Sequence, residues 1–225
     1  MIRFGWFPLF VFFVLVFLLP FLFAEIFLTA MVKLHLTPEM GFFVVIGIFL
    51  GSVINIPVTR IRREEEFLVD PLTMFGLGGW WPKLHRTRRE TVIAVNVGGC
   101  IIPTLIAVYE AGHVVTQGMR SLVLLVVAVL INVAVCYWVA KPVPGIGIAM
   151  PAFLPPFVAA SVALWLMPQE APAVAFVVGV MGPLLGADLL HLREIPGMAT
   201  GIASIGGAGT FDGIVLSGIL AAYLA

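Results

Sequence analysis

Glu110, His113, Asp188 and Asp212 stand inside long apolar runs of this chain. Ionisable groups are costly there and mark ion paths, proton relays or catalytic acids. Glu110 and His113 form a Glu-x-x-His pair, and Asp188 with His191 forms an Asp-x-x-His pair. Spacing of three sets each pair on one helix face. Two such pairs on facing helices would build a carboxylate-bridged dimetal site. The topology derived below sets them on opposite sides of the bilayer, so no joint metal site is expected, and each pair reads as an interfacial polar cap. Cys100 and Cys136 fall in apolar runs without metal spacing and read as buried thiols.

Asp212 differs from the others because of its neighbours. It closes the stretch Ser204-Ile-Gly-Gly-Ala-Gly-Thr-Phe-Asp212-Gly213, with four glycines between 206 and 213. Each glycine lowers helix propensity by about 1 kcal/mol relative to alanine and lets another backbone or a ligand approach. Tight small-residue packing is one reading. An acidic site beside unwound backbone is the other, and it gives Asp212, Gly207, Gly209 and Thr210 as binding candidates. Asp188 follows Gly182-Pro183-Leu-Leu-Gly186-Ala, which loosens its helix just before the acid. Its partner is either Arg193 or Asp212. A last helix starting near Met198 would set Asp212 about 21 Å deep and Asp188 about 7 Å, at 1.5 Å per residue. A start near Ile205 would bring Asp212 to about 10 Å, and the two acids nearly level.

The elements that must position these residues are membrane spans. The chain has 225 residues, 61% hydrophobic and 11% charged, against about 25% charged in soluble domains. Seven segments approach the roughly 20 residues needed to cross a bilayer: 5–31, 41–59, 91–113, 121–140, 150–167, 172–191 and 200–224. Six to eight spans bracket that count. The first is too long for a secretory h-region and reads as a spanning helix. Pro and Gly break the pattern near 142–156 and 200–213, and the former reads as loop, re-entrant turn or broken helix. The expected class is therefore all-α, a polytopic transmembrane helix bundle in a single domain. Seven spans gather ten of the twelve Lys and Arg on one side, leaving only Lys33 and Arg120 on the other. By the positive-inside rule the N-terminus and the basic, amphipathic 60–90 loop are cytoplasmic and the C-terminus is external, in a prokaryotic cytoplasmic membrane. In that loop Arg60–Glu64 and Arg62–Glu66 read as i,i+4 pairs, and Trp80–Trp81 as a headgroup belt.

The Gly-rich stretch ending at Asp212, with Gly186-Ala-Asp188-Leu-Leu upstream, resembles an uncharacterised prokaryotic membrane-protein family, domain of unknown function 1614, from the second span to the C-terminus. That resemblance implies no activity. The chain is more loosely similar to intramembrane aspartyl proteases, which carry one Asp on each of two successive spans with Gly-x-Gly-Asp at the second. Here Gly209-Thr210-Phe211 precedes Asp212, and Pro151-Ala-Phe-Leu stands before both acids.

Three functions compete. Ion- or proton-linked transport, with Asp212 as the site and Asp188 at its entrance, is the leading expectation, since acids beside broken helices serve carriers. A protease would use Asp188 and Asp212 as a catalytic pair on a transmembrane peptide. A non-catalytic accessory or assembly role is the third. The expected partners are the lipid bilayer and a small cation, proton or peptide. Nothing calls for a cofactor or nucleic acid.

Overall fold

Apolar sequence without a charge from Phe4 to Ala24 supports one long helix, and α1 (Trp6–Val32) runs 27 residues through Pro8 and Pro20. A computed structural model of the chain describes residues 6–68, 84–143, 147–198 and 201–225. After a turn at Lys33–His35, α2 (Pro38–Gly51) begins with Pro38 at its first position, and the Thr37 side chain caps it by accepting from the Met40 amide at 3.3 Å.

The next apolar residues, rich in Val and Ile, extend rather than coil. β1 (Asn55–Leu68) pairs antiparallel with β2 (Leu84–Asn96), running from Asn55 opposite Asn96 to Leu68 opposite Leu84. Helical i,i+4 pairing is therefore not how residues 60–66 are organised. Arg62 stands opposite Glu90, Glu64 opposite Arg88 and Glu66 opposite Arg86. Trp80, Trp81 and Lys83 lie outside the described residues, as does Arg3. β5 (Ile202–Ile205), in the segment expected to open the last span, joins β2 in parallel and gives the order β1-β2-β5.

A π-type turn, Val97–Ile101, leads into α3 (Ile102–Val115), followed by α4 (Met119–Val139). The Pro/Gly-broken segment opens as two short strands, β3 (Lys141–Val143) and β4 (Gly147–Ala149), which pair antiparallel. α5 (Leu154–Leu166) follows, with Pro155 and Pro156 in its first turn, where they displace no helical hydrogen bond. α6 (Ala171–Met181) continues as a π-type turn over Gly182–Leu189. α7 (Gly213–Leu224) ends the chain.

α6 is the axis of the bundle: every residue from Ala173 to Val180 is buried. It packs against α3, α4, α5 and α7. Small residues permit this approach. A Cβ on Gly179 would meet the Ser217 carbonyl oxygen at 2.6 Å, and one on Gly218 would meet Val180 Cγ2 at 2.6 Å. Close van der Waals packing of this kind is what holds helices together where lipid removes the hydrophobic drive. Cys100 and Cys136 are free and buried, as expected.

Among the described residues, three helical stretches are long and apolar enough to cross a membrane: Val97–Val115, Met119–Val139 and Pro168–Leu189. α2, α5 and α7 have 14, 13 and 12 residues. At 1.5 Å per residue they are about 18–21 Å long, short of the hydrocarbon core. The expected spans 41–59, 150–167 and 200–224 are thus part helix and part strand or turn.

The molecule has two polar ends. At one, Lys33 Nζ donates to the Tyr223 carbonyl at 2.7 Å, and Gln117 Nε2 donates to Glu170 Oε1 at 2.6 Å. At the other lies the sheet, where a small apolar cluster joins Ile93 and Ile195 to Ile61, Ile148 and Leu192. Successive helices run in alternating directions between these ends.

Candidate functional site

The sheet end carries the site. Asp212 is not within a helix: it is the N-cap of α7. Its Oδ1 accepts from the Ile214 amide at 3.0 Å and its Oδ2 from the Ala208 amide at 3.2 Å. One carboxylate therefore starts the helix and closes the glycine loop before it. The last helix begins later than either start considered from sequence, so Asp212 sits at the end of the bundle with Asp188, in the closing π-type turn after α6.

Asp188 and Asp212 line the same cavity of about 420 Å³, walled by Ile148, Ile195 and the continuous run Ile202–Ala208. A second cavity of about 320 Å³ also has both acids in its wall, with Met150, Pro183 and Phe211. β5 is an edge strand, hydrogen-bonded to β2 on one side only, and it forms part of the first cavity's wall. Phe211 further borders an apolar groove of about 660 Å³ between α1 and α2, lined by Phe23, Phe27, Phe42 and Phe49.

Of the other candidates, Gly207 lines the first cavity. Gly209 and Thr210 are buried and turned into the protein. Gly209 has φ +62°, and a Cβ there would collide with Ser52. Gly206, at φ +71°, lies against Gly99, where any side chain would run into the Gly206 carbonyl oxygen. The glycines thus serve a backbone junction between α2, the π-type turn before α3 and the loop before Asp212. His191 turns back on its own helix, its Nδ1 at 2.9 Å from the Ala187 carbonyl, and its ring lies against Tyr137.

Asn96 is the organising residue that the sequence reading missed. It is fully buried. Its Oδ1 accepts from the Gly99 amide at 2.7 Å, and its Nδ2 donates to the Ser52 carbonyl at 2.7 Å and to Asn55 Oδ1 at 3.1 Å. An asparagine directly before an apolar run is a capping signal, and this one was present in Asn96-Val-Gly-Gly.

Glu110 lies at the far end, as expected, but its partner is not His113. His35 contacts it through both backbone and ring, and Glu170 joins them. Among the described residues no three His, Cys, Asp or Glu side chains are grouped to hold a metal ion.

The family model for a protein of unknown function, DUF1614, matches residues 49–224, and the chain belongs to that family. The match includes both aspartates, β5 and the glycine junction, while α1 and most of α2 precede it. No curated protein and no solved structure matches the chain.

Proposed function

We propose that this chain is a seven-span membrane protein with a two-aspartate hydrolytic site whose substrate is a transmembrane polypeptide segment. The observation that carries the reading is that Asp188 and Asp212, at the end of one helix and the start of the next, share a cavity walled by a free strand edge. Peptide hydrolysis by paired acids needs one ionised carboxylate to take a proton from water and one protonated carboxyl to hydrogen-bond the scissile carbonyl and then protonate the leaving amine. Asp212 suits the base, since two backbone N–H groups stabilise its ionised form. Asp188 is then the acid. The edge of β5 offers unpaired backbone groups to which an extended chain can add as a strand. Hydrolysis needs such an extended chain, because a helix keeps its scissile carbonyl in its own ladder.

The transport reading drew on an acid at mid-depth in a broken helix. Asp212 as a helix cap beside a second acid gives less support to it than to a catalytic pair. The membrane setting is supported by exposed Trp138 near the sheet end of α4 and exposed Trp165 near the opposite end of α5, as for interfacial aromatic belts. Arg60, Lys141 and Arg193 share the sheet end and Lys33 and Arg120 the opposite one, which supports a cytoplasmic site with an external C-terminus in a prokaryotic cytoplasmic membrane.

The test is cleavage of a panel of transmembrane reporter peptides in proteoliposomes, read by mass spectrometry, with wild type, Asp188→Asn and Asp212→Asn. Cleavage abolished by each substitution is expected. Cleavage that survives Asp188→Asn would sink the pair. An inert wild type whose liposomes pass protons or cations faster than Asp212→Asn would favour transport.

A further inference from the structure

The end of the molecule opposite the aspartates holds a second cluster of titratable groups, built from three elements. His35 lies in the α1–α2 turn, Glu110 on α3 and Glu170 in the turn before α6. Glu110 is fully buried, and its two carboxylate oxygens are both met by one residue. The His35 backbone N–H donates to Oε1 at 3.1 Å, and ring Nδ1 lies 2.8 Å from Oε2. The other ring nitrogen, Nε2, is 3.4 Å from Glu170 Oε2. A neutral imidazole carries a single N–H, so it can satisfy only one of these carboxylates and must turn a lone pair on the other. With both carboxylates ionised, only the imidazolium, with two donors, satisfies both.

Other polar groups frame these two contacts. Tyr109 donates its hydroxyl to the His35 carbonyl at 3.0 Å. His113 stacks on the His35 ring with centroids 5.0 Å apart, an arrangement that two charged imidazoles would oppose. Gln117 occupies the second Glu170 oxygen. The nearby cation Lys33 is directed to the Tyr223 carbonyl, and Arg120 borders a shallow cavity with Gln117 and Glu170. The His35 side chain is 40% exposed, so protons reach it from solvent.

We propose that His35, Glu110 and Glu170 form a proton-operated latch that ties the α1–α2 turn to α3 and to the turn before α6. With two ring protons on His35 the latch is closed. When Nε2 gives up its proton, its lone pair faces Glu170, and that arm opens. This device is independent of the hydrolytic reading.

The test is hydrogen exchange of the full chain in lipid nanodiscs across a pH series, corrected for intrinsic exchange chemistry, reading peptides over 33–40 and 166–171. Wild type should show local opening rising several-fold from mildly acidic to mildly alkaline pH. His35→Gln should be open and flat across the series. Glu170→Gln should also be flat but closed, because a glutamine amide can donate to a neutral Nε2. His113→Gln should keep the wild-type dependence. A wild-type profile without pH dependence, or a dependence that persists in His35→Gln or Glu170→Gln, overturns the proposal. If His35→Gln does not fold, Glu170→Gln alone decides it.

Discussion

The Ser204 hydroxyl donates to Asn55 Oδ1 across 2.6 Å, and the same oxygen accepts from the buried Asn96 amide at 3.1 Å. Three distant parts of the chain thereby meet at one atom: the cavity-lining strand β5, the start of β1 and the cap of the turn before α3. The edge strand beside the acids is thus tied through a side chain to the first strand of its sheet as well as through its backbone to β2.

Asn96→Ala removes three hydrogen bonds from a fully buried side chain, each worth about 1 kcal/mol net. A destabilisation of about 2–3 kcal/mol is expected in reversible unfolding in mixed micelles. Ser204→Ala, which loses a single partly exposed bond, should cost about 1 kcal/mol or less. Equal effects from the two would remove Asn96 from its central place.

Backbone contact at the glycine junction leaves no room for a methyl group. Gly99→Ala would drive Cβ into the Gly206 carbonyl, which no side-chain rotation relieves. Overpacking of this kind costs about 1–3 kcal/mol. Gly112→Ala, where nothing lies within 4 Å, is the internal control. Alanine there should stabilise slightly, by up to about 1 kcal/mol through helix propensity. Thermal unfolding of the two variants side by side gives the sign of each, and a Gly99→Ala protein as stable as wild type would refute the junction.

Much of this architecture was legible in the sequence, and the part that was not has physical causes. Hydropathy places α3, α4 and α6 because length and apolarity are what a bilayer demands of a helix. It cannot separate a helix from an apolar strand, so the residues after Gly51 and before Asp212 merged into spans. Asp212-Gly-Ile-Val carried a helix-start signature, an acid directly before an apolar run, that a window average over 200–224 erased. Whether Asp188 and Asp212 share a cavity turns on where α7 starts, and neither start open to the sequence, near Met198 or near Ile205, is the Gly213 start of the structure, while Gly209 and Thr210 lie near Asp212 in sequence but are buried away from it. His35 and Glu110 are 75 residues apart, and no local spacing announces such a pair.

Arg60 and Glu90 approach to 3.7 Å with both side chains substantially exposed. Screening and side-chain entropy leave such pairs worth about 0–1 kcal/mol. Arg60→Ala should therefore shift stability by no more than about 0.5 kcal/mol. A loss above about 2 kcal/mol would mean that the pair is part of a larger charged network across the hairpin.

Asp212 has two roles to be separated, helix cap and reacting acid, and the choice of substitution separates them. Asparagine caps helices about as well as aspartate, so Asp212→Asn keeps an acceptor for the Ile214 amide. Its amide group cannot accept from the Ala208 N–H, a loss of about 1 kcal/mol. Asp212→Ala removes both contacts and should cost about 2 kcal/mol, a difference that micelle unfolding resolves. Peptide cleavage should instead fall to background in both, because neither side chain can take a proton from water. Asp188→Asn is the complementary case, since Asp188 caps no helix: cleavage should vanish with little change in stability. If cleavage followed stability across the three variants, with Asp212→Asn nearly as active as wild type, Asp212 would be a structural cap alone and the hydrolytic reading would fail.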